Sequence, residues 1–135
     1  MGHTIARVRV SNPRDPSRQV ELELLVDTGS TYTWIKRETL RELGITATGR
    51  RRFRTIRGEL IERDVGEAVI ECLGERATCM VAFAEEGDSE VLGITALENL
   101  GLEVDPITRQ LKKAEALLAL ALSARLSSAQ PHNAL

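Results

Sequence analysis

The segment LLVDTGSTYTWI (24–35) decides how the rest of the chain is read. Before it, Val20, Leu22 and Leu24 alternate with Glu21 and Glu23, the period of a strand with one dry face and one wet face. At Leu24-Leu25-Val26 the alternation gives way to a continuous apolar run, which takes the strand end into the interior. Asp27 follows at once. A carboxylate at the end of a buried strand is costly unless it is hydrogen-bonded or used. Gly29 has no Cβ, so the backbone can turn tightly there and bring its N–H toward that carboxylate. Ser30 can donate to the outer oxygen of Asp27 and hold the group in plane.

Upstream, Val8 and Val10 alternate with Arg7 and Arg9, a second strand, and Ser11 to Arg18, with Pro13 and Pro16, is expected to be the turn between the two. Downstream of Ile35 a short helix is expected, with Leu40 and Leu43 on one face and Gly44 ending it. From Arg50 to Phe83 the pattern is β again. FRTIRGELIERDVG (53–66) predicts a hairpin with its tip near Arg57-Gly58, and a second turn falls at Gly74-Glu75. Cys72 and Cys79 flank that turn, facing each other across a four-residue loop or lying diagonally across a two-residue one. Two reduced, half-buried thiols are the simpler reading. Glu85 to Asp88 is a polar turn, and Glu90 to Gly93 a short strand. Thr95 and Glu98 have capping-box spacing for a helical turn that turns Leu97 and Leu100 inward and closes at Gly101. Glu103 to Leu111 reads as a last hairpin about Asp105-Pro106. TLRELGI (39–45) and ALENLGL (96–102) form a weak repeat, with different spacing to the strands before them. They suggest two quasi-equivalent strand–loop–helix units, of which only the first carries an aspartate.

The bulk properties set limits. The chain has 135 residues, enough for one domain, and 42% are hydrophobic. Aromatic residues are confined to Tyr32, Trp34, Phe53 and Phe83, so the core rests on aliphatic side chains. A net charge of −2 gives no electrostatic case for nucleic acid. Arg50, Arg51, Arg52 and Arg54 form the only dense basic cluster. Its simpler reading is a solvated strand or loop, and its sharper one a preference for acidic groups nearby. Met1 to Val10 lacks the apolar block of a secretory signal, and Ala6 breaks the myristoylation pattern that Gly2 would open. The apolar stretch 114–126 contains Glu115 and Arg125 and is short of the ~20 residues that span a bilayer. No membrane association is expected, and the location expected is cytoplasmic. His3 and His132 are terminal, and no metal-site spacing accompanies them.

LLVDTGSTYTWI resembles the active-site loop of aspartic peptidases, which place Asp-Thr-Gly or Asp-Ser-Gly after a hydrophobic strand. VLGITALENLGL (91–102) resembles that family's second signature, two apolar residues and a glycine before a short helix. The glycine lets the second strand pass close behind the catalytic loop. Between the two lies a glycine-tipped hairpin, where the family has its flap. The order and spacing are those of the retroviral-like class and its bacterial and archaeal relatives. Ser30 and Trp34 look slightly more like the pepsin half-site.

The resemblance implies a mostly β fold, a small closed β-barrel of the retropepsin type with one or two short helices. The peptidase domain would be residues 1–111; outside the resemblance, the Ala- and Leu-rich stretch 112–126 reads as a C-terminal helix by propensity and 127–135 as a frayed tail. The resemblance implies hydrolysis of peptide bonds in a peptide or protein substrate, with no cofactor and no metal. The mechanism uses two carboxylates sharing one proton, since like charges about 3 Å apart do not both ionise. Asp64, Asp88 and Asp105 lack the Thr/Ser-Gly that follows Asp27, so the second carboxylate would be Asp27 of another copy on a two-fold axis. Thr28 would hydrogen-bond across to the partner loop. Thr55, Ile56, Arg57 and Gly58 would form the flap over an extended substrate, with Ile56 either an apolar flap contact or a core residue. The helical tail departs from the retroviral pattern, in which the chain ends form a dimer sheet. Two other readings stand beside this one: a non-catalytic dimeric binding or assembly module on the same fold, and a plain turn in an unrelated small β-barrel.

Overall fold

The computed structural model describes residues 3–115. The strand β1 (Ile5–Asn12) carries the alternation read in the sequence, with Ala6, Val8 and Val10 buried and Arg7 and Arg9 exposed. It pairs antiparallel with β2 (Asp15–Asp27), and its arginines sit opposite glutamates in register. Arg7 meets Glu23 and Arg9 meets Glu21, each at 3.2 Å. The intervening turn is shorter than expected: Asp15 to Arg18 already belong to β2. A register shift between Ser11 and Asn12 accommodates the prolines, as irregular pairings do. The Asn12 side chain reinforces it by donating to the Leu43 carbonyl at 2.8 Å.

There follow β3 (Thr33–Lys36), α1 (Arg37–Glu42), β4 (Gly49–Arg54), β5 (Leu60–Cys72), β6 (Glu75–Ala84), β7 (Val91–Gly93), α2 (Ile94–Leu100), β8 (Leu102–Val104) and β9 (Leu111–Lys113). The main sheet runs β1-β2-β7-β3-β6-β5-β4, and β1 also pairs with β5. That last pairing curls the sheet into a ring and leaves β4 as an appended edge. The mostly β, retropepsin-like architecture implied by the sequence is thus present. Its interior is aliphatic, built on Val8, Leu24, Ile35, Ile70, Val81 and Leu92, with Leu40 of α1 and Leu97 of α2 packed into it.

The weak repeat has a structural counterpart. β2 pairs parallel with β7, and β6 pairs parallel with β3. Exchanging β2 with β6, β3 with β7 and α1 with α2 maps this arrangement onto itself. One constant offset along the chain relates Asp27 to Ala84, Arg37 to Ile94 and Gly44 to Gly101. The spacing looks different in the sequence when β2 is matched with β7, whereas its counterpart is β6, and both glycines adopt positive φ at the helix ends (75° and 69°). Ala84 stands where the second unit would hold its aspartate.

Two local expectations fail for identifiable reasons. The Thr95–Glu98 capping box is not formed, since α2 starts at Ile94 with Gly93 as a cap that has no side chain. The orphan N–H groups of Ile94 and Thr95 donate instead to the carbonyls of Ser30 and Thr31 (2.7 and 3.3 Å). The thiols are neither opposite nor diagonal. The turn falls at Leu73-Gly74, so Cys72 pairs with Glu75 while Cys79 lies opposite Ala68. Both are buried and unpaired, and burial pushes both thiols up.

At the C-terminal end, Lys112 and Lys113 belong to β9 and not to a helix. Asp105 folds the chain back by accepting from the N–H groups of Ile107 and Thr108 (2.8 and 3.0 Å). Lys112 then meets Glu103 and Asp105 at 3.6 and 3.3 Å. The rest of the expected helix from residue 116, and the tail at 127–135, lie outside the described residues.

Candidate active site

Asp27 ends β2 and pairs with Gly93 in the parallel β2–β7 register. The Gly29 N–H donates to Asp27 Oδ1 at 2.9 Å, the contact that a residue without a Cβ permits. A Cβ at Gly29 would stand 3.3 Å from that same oxygen. The Ser30 N–H closes the turn on the Asp27 carbonyl at 3.1 Å. The Ser30 hydroxyl does not reach the carboxylate. It donates to the Tyr32 carbonyl at 2.7 Å, so it stiffens the loop and leaves the outer oxygen of Asp27 free.

Gly93 is packed against the back of this loop. A Cβ there would fall 2.6 Å from the Tyr32 carbonyl carbon and 2.7 Å from the Ser30 oxygen. Only glycine fits so close a backbone crossing. The Gly93 N–H donates to the hydroxyl of Thr33, which is 1% exposed, at 3.0 Å. The loop is thus fixed from behind by α2 and β7 and open in front. Contrary to the buried position expected, Asp27, Thr28 and Gly29 are all exposed in the single chain, with Leu25 and Val26 half-buried.

Asp27 lies on the floor of an open groove of about 920 Å³. Its far wall is β4 and the turn after it, from Arg51 to Ile56. The turn is held by the Gly58 N–H on the Thr55 carbonyl (2.9 Å) and the Thr55 N–H on the Glu59 carbonyl (2.8 Å), with Gly58 at φ +88°. Ile56 is fully exposed, so its core reading is excluded. Of the four expected flap residues, Thr55 and Ile56 line the groove, while Arg57 and Gly58 form the tip beyond it.

Several groove residues were not singled out from the sequence. Phe53 stacks edge-on to Tyr32 (centroids 5.3 Å apart) and at 59° to Trp34 (4.8 Å). Three of the four aromatic residues therefore join the hairpin to the Asp27 loop. Their scarcity was the available signal. The third wall, Gly87 to Ser89, is held by Arg63, whose Nε and Nη2 donate to Asp88 at 2.7 and 3.0 Å. This bidentate hold, then the Glu85 N–H, keeps the Asp88 carboxyl below the usual range. Asp88 is an anchor for this wall. Among the described residues no three His, Cys, Asp or Glu side chains converge to hold a metal ion, and no helix is long and apolar enough to cross a membrane.

A ring-like β-sheet with an Asp-Thr-Gly loop seated on a glycine crossing, facing a glycine-tipped hairpin, defines a retropepsin-like aspartyl protease domain. A family model described as aspartyl protease matches residues 7–95, which span both signatures' glycines and the hairpin between them, and the chain belongs to that family. A comparison with curated proteins finds no match.

Proposed function

We propose that the chain is an aspartic endopeptidase that works as a homodimer, in which the Asp27 carboxylates of two copies activate one water. The observation that carries this reading is the setting of Asp27: oriented by the Gly29 N–H, exposed, and lining an open groove of about 920 Å³. In the dyad one carboxyl is protonated and the other ionised. The ionised one takes a proton from water, whose oxygen attacks the peptide carbonyl carbon. The protonated one gives its proton to the carbonyl oxygen. Collapse of the tetrahedral intermediate breaks the C–N bond as a proton passes to the leaving nitrogen. Thr28, exposed beside Asp27, would donate across the two-fold axis, and Thr55 and Ile56 would close over the substrate. The buried, unpaired thiols of Cys72 and Cys79 suit a reducing compartment, and the cytoplasm is the location proposed.

The test is cleavage of an unfolded protein by the parent and by Asp27→Asn, over several pH values and enzyme concentrations. Cutting by the parent alone, with specific activity rising with concentration, supports the proposal. Equal cutting by both removes Asp27 from its role. No cutting by either, with both dimeric, favours a binding or assembly module.

A further inference from the structure

The wall of the groove facing Asp27 is the most basic stretch of the chain. Arg51, Arg52 and Arg54 all border it, and strand alternation sets Arg51 with Phe53 on its inner face and Arg52 and Arg54 on the other side of β4. Their neighbour Arg50 is matched by Asp64 at 2.8 Å and Glu62 at 3.6 Å. Among the described residues, Arg51, Arg52 and Arg54 have no carboxylate within ion-pair distance, and residues 116–135 contain no Asp or Glu. The other acid of the groove, Asp88, is already held by Arg63. The wall thus presents uncompensated positive charge to whatever enters.

Two further features give that charge an address. β4 is the last strand of the sheet, so its outer edge has backbone groups free to pair with an added extended chain. Phe53 turns onto Tyr32 and Trp34, and Arg51, two residues earlier on the same face, has its guanidinium 6.0 Å from the Tyr32 ring. The Arg51 guanidinium, though solvent-exposed, therefore sits beside Tyr32 of the Asp27 loop.

We infer that the groove selects substrates with Asp or Glu side chains flanking the scissile bond, read by Arg51. The inference rests on the peptidase reading above and supplies its substrate class. Charge pairing at a partly exposed site gives modest selectivity that salt weakens.

The experiment is digestion of a proteome-derived peptide library by the full-length protein at low and high salt, with cut positions read by mass spectrometry. The expected result is an Asp/Glu enrichment of about fivefold next to cut bonds at low salt, shrinking at ~0.5 M salt. R51Q should reduce the enrichment and R51K should keep most of it, while R52Q, on the opposite face of β4, should change it little. Cleavage without acidic enrichment, or enrichment indifferent to salt and to R51Q, overturns this inference and leaves the peptidase reading standing. Absence of any cleavage overturns both. Should a glutamine variant prove unfolded, the salt dependence of the parent decides.

Discussion

At Gly93 the tolerance for extra atoms is nil. The atoms that a Cβ would strike are backbone, carbonyl groups of Ser30 and Tyr32 within 2.7 Å, and no rotamer change moves them aside. Gly93→Ala must push β7 away from the Asp27 loop, breaking the Gly93 N–H bond to Thr33 and the Ile94 N–H bond to Ser30. The expected cost is about 3 kcal/mol, the upper part of the usual range for overpacking, and the urea midpoint measures it. A stability change within ~0.5 kcal/mol would show that the crossing has slack it is not credited with. Leu73 presents the opposite case. It occupies the first position of a two-residue hairpin turn at φ 53°, followed by Gly74 at 82°, and is half exposed. Turns with both central residues at positive φ favour Asn-Gly, and a β-carbon in that region costs about 1–2 kcal/mol. Leu73→Asn should therefore raise stability by ~0.5–1 kcal/mol, since asparagine tolerates the conformation best. Thermal unfolding would register this as a rise of a few degrees; a fall would mean that Leu73 contributes more by packing than by strain.

Among the elements, the loop between β6 and β7 is held by Arg37 on Glu85, by the Lys36 N–H on Glu90 and, most closely buried, by the pair Arg63–Asp88. Arg63 and Asp88 are each less than a fifth exposed and joined by two hydrogen bonds. Asp88 also receives the Glu85 N–H, so the pair shapes the whole turn. The folded state holds Asp88 below its ordinary pKa, first through Arg63. Its stabilising contribution is then complete above the unfolded value of about 4 and is lost as pH falls through the lowered folded value. Arg63→Ala should lower stability by about 1–2 kcal/mol at neutral pH, with the gap to the parent closing as pH drops below ~4. Melting curves from pH 7 to pH 2 test this, and a constant gap would refute the linkage. Asp64, held down first by Arg37 and then by Arg50, contributes acid sensitivity of the same sign. Pairs like Arg63–Asp88 mark the boundary of what the sequence discloses. Gly44, Gly101 and the hairpin tip were legible because glycine signals and apolar periods are local. The Asp27 loop was legible because its chemistry fits in four residues. The start of α2 was misread because its caps are carbonyls of Ser30 and Thr31, far off in sequence. The Ser30 hydroxyl was misassigned for want of the loop's geometry, and the cysteine register turned on where a two-residue turn falls. The aromatic cluster joins β3 to β4, a pairing of faces that no window of sequence contains.

For the whole molecule, exposure of the Asp27 loop is the fact that most needs an account. Everything behind the loop is fixed, by β7, by α2 and by buried Thr33, while Asp27, Thr28 and Gly29 face outward. The second unit of the internal repeat brings Ala84 where an aspartate would be needed, so a single chain does not complete a dyad by itself. On the homodimer proposal, one chain with an intact loop and one without would form a site with a single carboxyl. Such a site lacks either the acid or the base of the water-activating pair. Mixing therefore gives a test that cleavage by the parent alone does not. Parent and Asp27→Asn, mixed in equal amounts at fixed total concentration and left to exchange, should pair at random. Parent homodimers are then about one quarter of all dimers, and activity falls to about one quarter of that of the pure parent at the same total concentration. A peptidase acting as a monomer would retain one half. A larger excess of Asp27→Asn separates the two cases further, because dimer activity falls as the square of the parent fraction and monomer activity only in proportion. A linear dependence would dismiss the shared dyad even if Asp27 were essential, and a quadratic one would require that both copies bring their carboxyl to the same bond.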